Sequence, residues 1–372
     1  MVQKDFTSAL YLGMHHGSRS LEPWEKFTTG LPAAFSEPRV AIRLAHSLAI
    51  LQGCERATLA PSTLHLFWDL FGMLSEGSVA IFTDSGVYPI ARWGIERAAA
   101  RGIPVRGFRH HDPAALHEAL RRGAAGRARP VVVTDGFCPA CGRPAPLADY
   151  LQAVRERGGL FVIDDTQAAG IFGHLPGPDA PYGRGGGGML RWHDISDPHA
   201  LLVSSLAKGF GVPLTVLAGG GSFVSAYEAK SQTRVHCSPP SFATLHALRH
   251  ALKVNAERGD ALRLRLARVV RHFRRRLAEV GLSAEGNLFP VQTLVAPAGL
   301  DAETLHERLQ EMGTRTVLHR PRAEQGARLS FMLTAAHTPA DIDAAVGALA
   351  SLTRPASVAN RPEAIHGLRT EF

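Results

Sequence analysis

The chain alternates between two hydrophobic rhythms. Short, mostly apolar runs punctuate the region from about residue 40 to 220: "SVAIFT" (78–83), "PVRGFR" (104–109), "PVVVTD" (130–135), "GLFVIDD" (159–165), "HALLVSSL" (199–206) and "LTVLAGG" (214–220). Between them lie stretches in which apolar residues recur every three or four positions, the helical period. These are "RVAIRLAHSLAILQ" (39–52), "STLHLFWDLFGML" (62–74), "YPIARWGIERAAARG" (88–102), "PAALHEALRRG" (113–123) and "LADYLQAVRERG" (147–158). Ser62 is a good N-cap for the second. Continuous apolar strands separated by amphipathic helices predict an α/β fold, a mostly parallel sheet covered by helices on both faces.

Past residue 240 the rhythm changes. A long helical stretch (about 241–280) leads into "FPVQTLVAP", helix "AETLHERLQEMG", strands "TRTVLHR" and "ARLSFMLT", and helix "PADIDAAVGALASL". The expected organisation is an N-terminal segment, 1–38, packed on the small domain. A large domain (39–250), a smaller C-terminal α+β domain (251–353) and a polar tail (354–372) follow.

The 372 residues are 45% apolar and 20% charged, enough for a sizeable core. No apolar run approaches the ~18–20 residues of a membrane span. The N-terminus lacks the order of a signal peptide. A cytoplasmic protein without membrane partners is expected.

The net charge is +8. Much of it sits in "LRLRLARVVRHFRRRLA" (262–278), where Leu262, Leu266, Val269, Val270, Phe273 and Leu277 recur at helical spacing. The arginines fall mostly on the other side, as on a solvated helix face. No nucleic-acid-binding signature accompanies them, so no nucleic-acid partner is expected. Cys138 and Cys141 form one C-x-x-C in "DGFCPACGRP". Tetrahedral zinc needs a second ligand pair, and none is spaced nearby along the chain. Nor does a helix follow, as a redox motif would want. No metal site is expected.

Ligands of open parallel sheets bind at the carboxyl ends of the strands. Asp84, Asp135, Asp164 and Asp165 end such strands, and Lys208 follows another in "SSLAKGFG". A lysine there, desolvated among small residues, is a competent amine nucleophile for a Schiff base. A buried carboxylate at a strand end needs a cation, and a pyridinium nitrogen supplies one. Lysine plus aspartate at adjacent strand ends is what pyridoxal 5'-phosphate (PLP) chemistry requires.

The motifs carry a resemblance over nearly the whole chain. "DFTSALYLGM" (5–14) resembles "NFSSNDYLGL". "TDGFCPACGRPAPL" resembles "TEGVFSMDGDxAPL". "VIDDTQAAGIFG" resembles "VDDAHGTGVLG". "SSLAKGFG" resembles "TLSKAFG", and "ARLSFMLTAAHTPADID" resembles "ARLRLxLTAAHTxxDID". These are motifs of the α-oxoamine synthases, fold-type I PLP-dependent transferases.

The resemblance implies a homodimer with shared active sites. Lys208 would carry the cofactor and move the substrate's Cα proton. Asp164 would pair with the pyridine nitrogen. Ser62, Thr63 and Ser205 would hold the phosphate, with His236 and Ser238 reaching it from the partner subunit. Arg320 would grip the amino-acid carboxylate. In place of two family histidines, the chain has Tyr88 against the cofactor ring and Gln167 at the ring oxygen. Pro139 and Ser330 are further departures. The losses cluster on the reaction side of the ring, while the cofactor anchors survive.

The expected function is condensation of an amino-acid carbanion with an acyl thioester. The alternative is an aminotransferase using a keto-acid co-substrate, since many aminotransferases stack an aromatic ring where Tyr88 lies. A third reading is a non-enzymatic PLP-fold sensor or regulator, and other PLP chemistry through the same carbanion stays open.

Overall fold

The computed structural model describes residues 3–123, 128–295, 301–320 and 326–353. The expected polar tail, 354–372, lies outside the described residues.

Seven strands form the main sheet: β1 (Arg56–Ala60), β2 (Val79–Asp84), β3 (Val105–Phe108), β4 (Arg129–Asp135), β5 (Leu160–Asp164), β6 (Ala200–Ser205) and β7 (Thr215–Gly219). Their order across the sheet is β1-β7-β6-β5-β4-β2-β3. β6, β5, β4, β2 and β3 pair in parallel. β7 is antiparallel to both neighbours. The cause is local, since only residues 206–214 join β6 to β7, too few for a parallel crossover.

Helices α1 (Arg39–Gln52), α2 (Thr63–Leu74), α3 (Pro89–Ala100), α4 (Pro113–Gly123) and α5 (Leu147–Arg155) alternate with the strands. Side chains on successive strand positions enter different cores. Phe161 and Ile163 of β5 join one apolar cluster, and Leu160 and Val162 join the other. The sheet is thus buried on both faces, as its apolar runs require.

Helix α6 (Phe242–Glu279) runs unbroken through position 250. It leads to a four-stranded antiparallel sheet of β8 (Ala284–Glu285), β9 (Val291–Leu294), β10 (Val317–His319) and β11 (Arg328–Met332), in the order β8-β9-β11-β10. Helices α7 (Ala302–Glu311) and α8 (Pro339–Thr353) complete this part. At the other end of the chain, Lys4 and Asp5 pair in parallel with Thr314 and Arg315. Lys4 Nζ also reaches Asp341 at 2.6 Å.

Three local features depart from the sequence pattern. β1 is a strand although "RATLA" has no clear period, because an edge position beside β7 lets it form. "TRTVLHR" divides between two sheets, with 314–315 pairing to the N-terminal strand and 317–319 to β11. Arg263 of α6 is buried, unlike a solvated-face arginine. Its guanidinium donates to Gly170 O (2.7 Å), Asn255 Oδ1 (2.9 Å) and Asp260 Oδ1 (2.7 Å), which meets its need for partners.

Candidate active site

The parallel register brings the strand ends into one row. Asp164 of β5 lies opposite Val203 of β6 and Asp135 of β4. A second row joins Ala60, Thr215 and Ser205. The start of α2, the end of β6 and the Asp164–Asp135 pair therefore share one edge of the sheet.

Lys208 is held within the β6–β7 connection, which folds back on itself. Leu206 N–H donates to Leu214 O (2.8 Å) and Val212 N–H to Leu206 O (3.0 Å). This connection lies directly on the turn that follows Asp164. A Cβ on Gly209 would sit 2.3 Å from Ala169 O, and one on Gly170, at φ +85°, 3.0 Å from Gly209 Cα. Only glycines let these backbones approach so closely. Thr166 links the strand ends: its N–H donates to Asp164 Oδ1 (3.0 Å), and its Oγ1 accepts from Ser205 N–H (3.0 Å).

The electrostatics follow from burial. Desolvation pushes the Asp164 carboxyl above the ordinary carboxylate range, against the opposing Thr166 hydrogen bonds and the Lys208 charge. Burial raises Asp135 well above it too, and the adjacent Asp164 charge adds to this. Burial draws the Lys208 amine below its usual value, while Asp164 and Asp135 pull it back up. Two desolvated carboxylates thus share one lysine whose amine burial makes easier to deprotonate. This donor set fits PLP: an amine to condense with the aldehyde, and a buried carboxylate to face a protonated ring nitrogen.

A helix N-terminus lies at the same edge of the sheet. Ser62 caps α2, accepting from His65 N–H at 3.5 Å, with its Oγ 2.7 Å from His65 Nδ1. The remaining amides of the first turn, Thr63 among them, have no partner within the helix and favour an anion. Ser205 Oγ accepts from Ala207 N–H at 3.4 Å.

Gln167 is half-buried, and its Oε1 accepts from the buried Tyr11 hydroxyl at 2.9 Å. That bond fixes the amide and leaves its Nε2 N–H groups as donors. Tyr88 is exposed at the start of α3. Its backbone N–H donates to Asp135 Oδ1 (3.2 Å), which ties it to the Asp135–Asp164 pair. Asp165 takes no part in that pair's row. It accepts from Met189 N–H at 3.1 Å, holding the glycine-rich loop.

Two expected residues lie apart from this cluster. His236 is exposed at the end of the helix Gln232–His236. Buried Asp69 of α2 anchors that helix, accepting from Thr233 Oγ1 (2.6 Å) and N–H (3.1 Å). Arg320 is exposed just beyond β10 and pairs with Glu303 of α7 at 2.7 Å.

The sequence profile of the aminotransferase class I and II family matches residues 67–349. The chain belongs to this family. Its members are PLP-dependent enzymes, and the chain has their fold-type I architecture.

An 8-amino-7-oxononanoate synthase from Sodalis glossinidius is 29% identical over 354 residues, covering 93% of this chain and 87% of the relative. Among solved structures, a serine palmitoyltransferase from S. paucimobilis with a bound PLP–myriocin aldimine matches with a TM-score of 0.80 at 17% identity. It covers 94% of this chain and 87% of that one. An 8-amino-7-oxononanoate synthase from Francisella tularensis matches with a TM-score of 0.67 at 17% identity, covering 94% and 97%.

Within this aminotransferase-family fold, two groups carry little sequence signal. Tyr11 stands in "ALYLG", far along the chain from Gln167, and only the fold joins them. The second is a cluster around Cys141. His110 Nε2 lies 3.5 Å and His111 Nδ1 3.9 Å from its Sγ. In the sequence the cluster shows only as the C-x-x-C of 138–141 and the separate "RHH" after β3.

Proposed function

We propose that this enzyme condenses an amino acid with an acyl thioester at the edge of the sheet where Lys208 meets Asp164. The observation that carries the reading is the Lys208–Asp164 pair, held together by the Gly170–Gly209 contact. The 8-amino-7-oxononanoate synthase relatives support acyl transfer as the reaction.

PLP, when bound, would supply an electron sink for the carbanion. The chain's own residues would do the rest. Lys208 Nζ would hold the cofactor and then take the proton from the substrate's Cα, a task suited to an amine whose proton affinity burial lowers. Asp164 would keep the proton on the ring nitrogen. Gln167 Nε2 would donate to the ring oxygen, with Tyr11 fixing its orientation. Tyr88 would cover one ring face.

Thr63 N–H and the Ser62 turn would bind the phosphate with the Ser205 hydroxyl. His236 and Ser238 would reach the phosphate of the other protomer. Arg320 would leave Glu303 to bind the substrate carboxylate bidentately. Exposed ion pairs contribute only about 0–1 kcal/mol, so this exchange costs little.

We further propose a homodimer working in the cytoplasm. Leu64 and Trp68 of α2, Trp93 of α3 and Val235 are large apolar side chains left exposed near the proposed phosphate end. A second copy would cover them. No helix among the described residues is long and apolar enough to cross a membrane.

Tyr88 favours a second reading, an aminotransferase. Incubating the holoenzyme with amino acids, with and without acyl thioesters, separates the two. Acyl transfer predicts thiol release that needs both substrates. Conversion of the cofactor to its amine form by the amino acid alone would establish transamination instead.

A further inference from the structure

The Cys138–Cys141 turn is not a helix start, and within it Cys138 is buried and Cys141 half-buried. Phe137–Cys138 and Arg143–Pro144 form a small antiparallel ladder, so Cys138 ends its first strand and Cys141 lies within the hairpin turn. The turn's amides face sulfur. Cys141 N–H donates to Cys138 Sγ at 3.5 Å, and Gly142 N–H closes the turn on Cys138 O at 2.9 Å. Gly142 has φ +65°, and a Cβ there would lie 2.7 Å from Gly286 Cα. Asn287 Nδ2 donates to Gly142 O at 3.1 Å.

Two imidazoles complete the cluster. His110 Nε2 lies 3.5 Å and His111 Nδ1 3.9 Å from Cys141 Sγ. Donor atoms of His110, Cys138 and Cys141 all lie within 4.8 Å of one another. His110 Nδ1 is 2.7 Å from Asp84 Oδ1. His111 Nε2 is shielded from solvent and has no hydrogen-bond partner among the described residues.

We propose that Cys138, Cys141, His110 and His111 bind a structural zinc ion. Tetrahedral zinc with Zn–S about 2.3 Å and Zn–N about 2.0–2.1 Å sets neighbouring sulfur and nitrogen about 3.5 Å apart. The His110–Cys141 separation has that value. Two thiolates with two imidazoles select zinc over hard cations such as magnesium or calcium. Asp84, accepting from His110 Nδ1–H, leaves the Nε2 lone pair for the metal, the outer-sphere arrangement of zinc-bound histidines. Amides aimed at sulfur stabilise thiolates in the same way.

His110, Cys138 and Cys141 supply three ligands as they stand, and His111, 3.9 Å from Cys141 Sγ, would turn its ring towards the ion as the fourth, closing a sphere of the structural type. It would tie the ends of β2, β3 and β4 together, beside the Gly286–Asn287 loop next to β9. The site shares no residue with the Lys208 cluster, so it stands whatever reaction that cluster performs.

The test is elemental analysis of the protein purified under reducing conditions without chelators. One zinc per chain is expected, with X-ray absorption showing two sulfur and two nitrogen neighbours. Cys141→Ser and His111→Ala should each lose the metal, and Cys54→Ser and Cys237→Ser should keep it. Asp84→Asn should weaken zinc affinity about 10–100-fold. If the ligand variants do not fold, cobalt(II) added to metal-free wild-type protein should give the visible bands of tetrahedral thiolate coordination. Failure of the reduced wild-type protein to take up either ion would overturn the proposal. So would a Cys138–Cys141 disulfide in anaerobically purified protein, or zinc retained by both Cys141→Ser and His111→Ala.

Discussion

Asp135 and Asp164 face each other in register at the ends of adjacent parallel strands, and both are buried. Each carboxyl is raised by burial, so the folded apo-protein binds protons that the unfolded chain releases. Stability linked to these groups is therefore full below about pH 4, the ordinary carboxylate value. It falls as pH rises towards their elevated folded values. A cation at the ring-nitrogen position offsets this loss. Thermal melts should show PLP stabilising the protein more as pH rises. In Asp135→Asn, which keeps an acceptor for Tyr88 N–H, the apo-protein should lose less stability over the same range.

Lys208 is the group expected to move the proton. Lys208→Ala should lower exchange of the substrate's α-hydrogen with deuterated solvent by about 10²–10⁴-fold, measured by nuclear magnetic resonance. Added methylamine should restore part of it. Unchanged exchange would assign the base elsewhere.

Gly209→Ala tests the backbone contact that sets Lys208 beside Asp164. Its Cβ would meet Ala169 O at 2.3 Å, so the loop must shift. A cost of about 1–3 kcal/mol is expected in chemical denaturation, together with weaker PLP binding. Normal cofactor affinity would show that the close approach is dispensable.

Tyr11→Phe removes the donor that orients Gln167. The expected cost is about 1 kcal/mol of stability. Cofactor absorbance should shift, because the amide of Gln167 becomes free to flip at the ring oxygen. An unchanged spectrum would remove Gln167 from the site.

Arg320 and Glu303 form an exchangeable pair at the surface. Glu303→Gln should leave kcat unchanged and lower KM for the amino acid by freeing the guanidinium. Arg320→Lys should raise KM, since an ammonium lacks the bidentate fork. A KM indifferent to both changes would place the carboxylate anchor elsewhere.

Much of this was legible in the sequence because parallel strands are written as unbroken apolar runs. "LFVID" and "ALLVSS" appear as strands where the pattern puts them, and Asp164 and Lys208 follow from their ends. Short edge elements were not legible. "RATLA" forms β1 through its neighbour β7, and no local period announces it. Contacts between distant segments were also hidden. Tyr11 meets Gln167 across 156 positions of sequence, and His110 meets Cys141 across 31. The cysteine pair shows no second ligand pair along the chain, because that pair comes from a neighbouring strand end rather than a neighbouring sequence.

The central claim is that Lys208 carries the cofactor at the strand edge beside Asp164. Borohydride reduction of the holoenzyme followed by peptide mass spectrometry tests it most directly. The phosphopyridoxyl group is predicted on Lys208 alone. A label on Lys4, Lys26, Lys230 or Lys253, or no label on a protein supplied with PLP, would contradict it.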